Sequence, residues 1–320
     1  MIIYSLVALA AGYVMDMMFG DIFSAYSLSK FMEKTANFFK DKLKARYVSS
    51  HEGQTLAGSL LLAIMIILFI APLTLLLVLA YKLHPVVGVI LESFYVFGAI
   101  NEKKVNYYGT GILKALRKGK PLAARRKLME MTGENTKGMR EDEIVKLSVR
   151  GIAEYTFENA IAPLFFIFIG GGIGGLVYLV INRTAKAVRS EDIYFSLAAR
   201  GMNDVLGYFP ARLAAFLSVK DARLLALDFL NAQKIWKRDG KNLGNINASQ
   251  TVAAFAGALD IEVVGNIYED EPFIPSQHIG DPKKEPDQSD IFYAQQISYG
   301  AVFMAAVAFM AVRLILGLIF

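Results

Sequence analysis

The 320-residue sequence contains no cysteine. That excludes a disulfide framework, thiolate zinc centres and a cysteine nucleophile. Histidine is almost as scarce: His51, His84 and His278 stand far apart and show no metal-ligand spacing. Charged residues are only 20% of the chain, against 55% hydrophobic residues and a mean hydropathy of +0.40. A chain solvated partly by lipid needs that much apolar surface; a soluble fold does not. There is no Walker-type loop, no dinucleotide fingerprint after a strand and no nucleophile elbow. Basic residues without interleaved aromatic platforms do not support nucleic-acid binding. The net charge of +5 then points to anionic lipid or a phosphorylated substrate. No strong two-residue alternation appears, so the expected fold is all-α: one polytopic integral membrane domain over residues 1–320, with four to five membrane segments.

What is present sorts into apolar runs and basic stretches. The membrane segments are expected at about 1–19, 56–81, 84–100, 160–181 and 298–320, with polar stretches at 101–159 and 182–297. The first reads as a retained anchor, since it lacks a basic n-region and a clear cleavage site. Leu56 to Tyr81 carries no charge over 26 residues and is kinked by Pro72. The segment from His84 follows a tight turn, contains Glu92, and is placed as the returning arm of a hairpin. The last segment carries only Arg313. Lys and Arg number six in 20–55, thirteen in 101–159 and thirteen in 182–297; the positive-inside rule places the first two stretches in the cytoplasm and the Lys82-Leu83 turn outside. A single crossing by 160–181 would put the last basic stretch outside. Either Gly170-Gly171-Gly172 and Gly174-Gly175 break this run into two half-helices that enter and leave on one side, or they serve close packing in a plain span.

The polar stretches supply the candidate chemistry. Pro121 must start a helix, on which Arg125-Arg126-Lys127 is a solvated face, a phospholipid contact or a phosphate site. Thr136-Lys137-Gly138 makes a turn. Glu141 to Phe157 reads as an amphipathic helix on which Arg150, Glu154 and Glu158 share one face at i, i+4 and i+8. They form either a helix-surface ion network or a carboxylate pair able to hold Mg²⁺. Asn203-Asp204 can cap a following helix at 203–217, taken as interfacial. Residues 239–259 are an Asn- and Gly-containing loop feeding an apolar helix of small residues. Tyr268 to Asp290 holds seven acids, two lysines and four prolines, and reads as a solvated irregular loop.

Several stretches in this order carry a resemblance. They are Asp16-x-x-x-Gly20-Asp21, His84-Pro85, Ala124-Arg125 leading to Gly133-x-x-Thr136, and Glu154-x-Thr156 followed by Ile161-Ala162-Pro163-Leu164-Phe165-Phe166 and the glycines. Tyr178, Asn182, Asp204-Val205, Tyr208-x-Pro210-Ala211-Arg212-Leu213, Arg238-Asp239, Asn247-Ala248, Ala256-Gly257-Ala258-Leu259 and Ile279-Gly280-Asp281 complete it. The chain resembles the CbiB/CobD family of cobalamin biosynthesis, the adenosylcobinamide-phosphate synthases, over nearly its whole length. The resemblance implies a multi-pass ligase of the cell membrane. Such an enzyme joins an aminoalcohol phosphate, for instance aminopropanol phosphate, to the side-chain carboxyl of adenosylcobyric acid, with ATP as cosubstrate and Mg²⁺. It implies Glu154, Glu158 and Asp204 as catalytic residues, Glu154 and Glu158 as metal ligands, and Asn182, Arg212, Asn247 and Arg125 as substrate-binding residues. The implied partners are the corrinoid and aminoalcohol phosphate, membrane lipid, and either a second copy of the chain or other membrane enzymes of the pathway.

The sequence departs from the family pattern where chemistry is expected. Gly133-Glu134-Asn135-Thr136 puts an acid where the pattern has a cation, and Ala185 stands where it has an acid. Tyr155 replaces an amide, Asn203 replaces the first acid of an Asp pair, and Tyr26-Ser27-Leu28 stands near a missing His-Pro-Val. Either the substrate or metal geometry has shifted, or the chain is a non-catalytic paralog, a corrinoid-binding scaffold or sensor. A small-solute transporter is disfavoured by the few spans and the lack of an internal repeat.

Overall fold

The computed structural model describes residues 2–20, 28–46, 50–264 and 278–319. Asp21, Tyr26-Ser27 and the 268–277 part of the acidic loop lie outside the described residues. Twelve α-helices make up nearly all of the described chain: α1 Ile2–Phe19, α2 Leu28–Arg46, α3 His51–Leu83, α4 Pro85–Ala99, α5 Glu102–Arg117, α6 Pro121–Thr132, α7 Glu141–Thr156, α8 Ala162–Ala187, α9 Ile193–Leu224, α10 Phe229–Asp239, α11 Ile246–Leu259 and α12 Gln288–Ile319. A π-helical turn, Phe157–Ile161, joins α7 to α8. A two-residue antiparallel pair, β1 Val263–Val264 with β2 His278–Ile279, is the one sheet among the described residues. Four stretches are long and apolar enough to cross a membrane: His51–Leu83, Pro85–Arg117, Glu141–Ala187 and Gln288–Ile319. The chain divides into two compact units.

The first unit comprises residues 1–101, 162–208 and 306–320. Ser50 starts α3 by accepting the Gly53 N–H at 3.1 Å. At 1.5 Å per residue, its 33 residues run about 50 Å, more than a hydrocarbon core of about 30 Å requires. Ile67, Leu68, Leu75, Leu76 and Leu79 are exposed along it, an apolar face suited to lipid. His84 makes the turn. Its N–H closes α3 on Ala80, and its Nδ1 accepts the Val86 N–H at 3.2 Å, opening α4 with Pro85 in the first turn. α3 and α4 pack together, the hairpin expected of this segment.

The Gly-rich run does not cross as one rod. Gly170 (φ −120°, ψ 18°) and Gly171 (φ 64°, ψ −159°) interrupt α8. Beyond them the chain turns back. The rings of Phe166 and Tyr178 stack with centroids 5.3 Å apart, whereas twelve residues of straight helix would separate them by about 18 Å. Gly174 lies so close to the first arm that a Cβ would stand 2.2 Å from the Phe166 carbonyl oxygen. Of the two readings of these glycines, the break is the one found and the plain span is not: they interrupt the helix and let its two arms touch. Gly171 occupies a region of backbone space that essentially only glycine enters.

The second unit comprises residues 102–161 and 209–305. α11 lies at its centre, with all residues from Asn247 to Leu259 buried. α7 and α10 pack on it. Asn245 caps it by accepting the Asn247 and Ala248 N–H groups. α6 begins at Pro121 and ends on Gly133 in the left-handed conformation (φ 77°), which closes its last turn. One expectation fails. Asn203-Asp204 does not cap a helix, because α9 already begins at Ile193, where the Asp192 carboxylate accepts the Tyr194 N–H at 2.8 Å. The preceding segment is rich in helix formers and carries the helix through Asn203 without a break.

Candidate functional site

The candidate site in the second unit is built on α7. Arg150 is buried and donates to two carboxylates: its Nη2 lies 3.3 Å from Glu134 Oε1, and its Nε 2.9 Å from Glu154 Oε1. The side chains of Arg150 and Glu134 are 4% and 5% exposed, that of Glu154 23%. Glu134, the acid at the position where a cation was expected, thus has its cation supplied by α7. An ion pair joins Arg150 to Glu154 as the spacing suggested, but it is largely buried rather than on the helix surface, and Glu134 extends it inward. Glu158, half-buried, does not continue the α-helical register. It lies on the π-turn, where the hydrogen-bond step lengthens and side chains rotate away from an i, i+4 line. Single π-turns of this kind cluster at functional sites. Thr156, just before the turn, is held with its hydroxyl 2.7 Å from both the Ile152 carbonyl and Ser298 Oγ.

The remaining candidates fall into separate groups. Arg125 turns inward: its Nε and Nη2 donate to the Met139 carbonyl, and its own carbonyl accepts the Thr136 hydroxyl at 2.9 Å. It ties the 133–139 loop to α6. Arg212 and Asn247 approach each other, with Nη1 to Oδ1 at 3.5 Å, at the limit of a hydrogen bond. These three, like Glu154 and Glu158, belong to the second unit. Asn182 and Asp204 belong to the first. Asn182 is buried and donates to Asn203 Oδ1 at 3.1 Å; Asp204, next along α9, is exposed. Among the described residues no three His, Cys, Asp or Glu side chains gather as a metal cage. Mg²⁺ does not need one, since it is usually held by one or two carboxylates with substrate phosphates.

Two arrangements were not anticipated from the sequence. Arg238 and Asp239 form a fork at 2.6 and 2.8 Å, and Arg238 also reaches Asp281 at 2.8 Å. Asp239 Oδ2 accepts the Gly280 N–H at 2.9 Å. Two stretches of the resemblance, 41 residues apart, are thereby joined. Hydrogen bonds donated to Asp239 and Asp281 hold the Arg238 guanidinium above its ordinary pKa. The second arrangement lies at the tip of the α8 hairpin. Arg313 donates to the carbonyls of Ile167 (2.9 Å) and Phe168 (3.0 Å), the open C-terminal end of the first arm, and to Ser5. Ser5 donates to Glu92 Oε1 at 2.9 Å, which also accepts the Gly172 N–H at 3.0 Å at the start of the second arm. Tyr81 donates to the other carboxylate oxygen. A cation caps a helix C-terminus and an anion a helix N-terminus, each with the sign the helix dipole favours. The signal was legible as two lone opposite charges in apolar runs.

The fold defines an all-α polytopic membrane protein with one broken, folded-back membrane segment and a helical polar unit. A CobD/CbiB protein family model matches residues 9–298. The chain belongs to that family. It is 30% identical over 321 residues to the "Cobalamin biosynthesis protein CobD" of Clostridium perfringens, covering 98% of this chain and 100% of the relative. The protein of the same name from Geobacter metallireducens is 31% identical over 71% of this chain and 74% of its own length. The "Cobalamin biosynthesis protein CbiB" of Salmonella arizonae is 30% identical over 74% of this chain and 75% of its own. No solved structure matches.

Proposed function

We propose that this chain acts in cobalamin biosynthesis as a membrane enzyme that forms the amide between adenosylcobyric acid and an aminoalcohol phosphate, yielding adenosylcobinamide phosphate. The observation that carries the reading is end-to-end similarity to a relative bearing the cobalamin-biosynthesis name. A carboxylate is a poor acyl donor because it would have to expel oxide; ATP would convert it to a mixed anhydride with phosphate, so that phosphate leaves as the amine attacks, and bound Mg²⁺ would neutralise phosphate charge. Glu154 and Glu158 are the residues that would hold Mg²⁺. Glu134, Arg150, Glu154 and Glu158 carry three formal negative charges against one positive, so the end of α7, with the loop before it and the π-turn after it, keeps the sign a divalent cation requires. Arg212 supplies a cation for phosphate, and Asn247, within 3.5 Å of it, supplies an amide for the corrinoid's amide rim.

A second reading is favoured by one contact: Glu154 is already engaged by Arg150. In that reading the chain is a paralog that binds a corrinoid without converting it. The two readings part in one experiment. Membranes containing the protein are given adenosylcobyric acid, ATP, Mg²⁺ and aminopropanol phosphate, and product is followed by mass spectrometry. Conversion by wild type and its loss in both Glu154→Gln and Glu158→Gln is the expected result. Folded wild type that is inactive across several aminoalcohol phosphates gives the paralog reading. Full rate in both variants keeps the reaction and moves the metal site elsewhere.

A further inference from the structure

A cavity of about 880 Å³ opens beside the hairpin tip in the first unit. Its walls are apolar and come from α3, α8 and α12: Leu77, Val78, Ile169 and Leu316. All but Leu77 are well exposed. Its polar floor is the network already described. Glu92 accepts from Ser5, Tyr81 and Gly172, and Arg313 donates to Ser5 and two carbonyls, so these groups are satisfied within the chain. The floor therefore needs no charged guest. The third charged residue of the lining is Lys82, in the last turn of α3. It is exposed, and it makes no ion pair or hydrogen bond among the described residues.

We propose that this cavity is a binding site for an anionic phospholipid, with one acyl chain against Val78, Ile169 and Leu316 and the phosphate on Lys82. Three features select this occupant. The walls lie on helices long and apolar enough to cross a membrane, so the surroundings supply hydrocarbon rather than a water-soluble guest. The volume falls in the range of ordinary ligand pockets. The cation sits at the end of a span, where a lysine extends its ammonium to the headgroup level while its methylenes stay among apolar groups. Charge complementarity then favours an acidic headgroup over a zwitterionic one, by about fivefold for a single lysine. A lipid seated there covers the hairpin tip and excludes water from the Glu92–Ser5–Arg313 network. The site rests on the first unit alone and is independent of the proposed reaction.

The test is native mass spectrometry of the detergent-purified, delipidated full chain, offered phosphatidylglycerol or phosphatidylcholine in turn. Three variants are compared with wild type. Lys82→Gln removes the cation from an exposed position without disturbing packing, and Val78→Trp and Leu316→Trp fill the cavity from opposite walls. Size exclusion and helix content by circular dichroism establish which variants are folded. The expected result has three parts. Wild type retains a stoichiometric phosphatidylglycerol adduct, about fivefold over phosphatidylcholine. Lys82→Gln loses that preference while keeping a residual adduct. A folded tryptophan variant loses both adducts. Equal retention of the two lipids by wild type overturns the proposal, as does an unchanged preference in Lys82→Gln. So does an undiminished adduct in either folded tryptophan variant. If neither tryptophan variant folds, the headgroup comparison between wild type and Lys82→Gln decides alone.

Discussion

Removing Arg150 should be among the most damaging single changes to the second unit, and the geometry says how damaging. Arg150→Leu takes the guanidinium away from Glu134, 5% exposed, and from Glu154. Breaking a buried pair from one side costs about 3–5 kcal/mol. Glu134→Gln removes one charge but leaves Arg150 paired with Glu154 and keeps an acceptor near the guanidinium, so about 1 kcal/mol is expected. The double variant Arg150→Leu/Glu134→Leu takes out both buried charges together and should recover most of the loss, because no buried charge remains unpaired. Trp236 is the sole tryptophan and sits on α10 in the same unit, its indole donating to Gln250 at 2.9 Å, so its fluorescence reports this unit's unfolding. In detergent, a shift of about 2 °C per kcal/mol makes Arg150→Leu melt roughly 6–10 °C early and Glu134→Gln about 2 °C early. Equal losses in Arg150→Leu and Glu134→Gln would refute the reasoning. So would a double variant no better than Arg150→Leu.

Other expectations follow from single positions. Gly171→Ala should destabilise the first unit by about 1–3 kcal/mol from backbone strain alone, and more because its Cβ would stand 2.4 Å from Glu92 Oε1. Gly170→Ala, at negative φ with nothing within 4 Å, should be tolerated; a thermal melt of the two variants side by side checks the pair. Burial without a hydrogen-bond partner for Oδ2 pushes the Asp221 carboxyl up to about 6. Through the window between its ordinary value and about 6, the folded chain keeps a proton that the unfolded chain releases, so this group lowers stability as pH rises. Asp221→Asn should therefore stabilise the protein at pH 7, with the gain vanishing at pH 4; a gain that persists at pH 4 would contradict the assignment. Lys137→Cys and Lys241→Cys, both exposed and in a chain otherwise free of cysteine, should be labelled from the same, cytoplasmic, side of sealed vesicles.

The departures from the family pattern read differently once contacts are known. Glu134 is not an unbalanced acid, since Arg150 neutralises it from a helix seven residues further along the chain. Arg183 stands in the segment that lacks the family's acid, and it pairs with Glu33 at 3.3 Å. Whether such local rebalancing preserves catalysis is what the conversion assay reads.

Sequence alone determined the class. Long uncharged runs have no stable home but lipid, and spacing, Pro121 and the His84-Pro85 turn sufficed to place most helices, because capping and hydrophobic burial act over one or two turns of chain. The candidate residues were nameable in the same way, by motif and by helical spacing. What spacing could not reach was anything set by partners far along the chain. The π-turn that carries Glu158 off the Glu154 line costs nothing visible in composition. The length of α9 was decided by the continuity of helix-forming residues ahead of Asn203. Above all, the glycine run was compatible with both a straight span and a hairpin. Its reversal is held by Glu92 and Arg313, 221 residues apart, each satisfying one open end of a broken helix. Backbone groups exposed in a bilayer must find partners, and only the tertiary fold could bring these two charges to them.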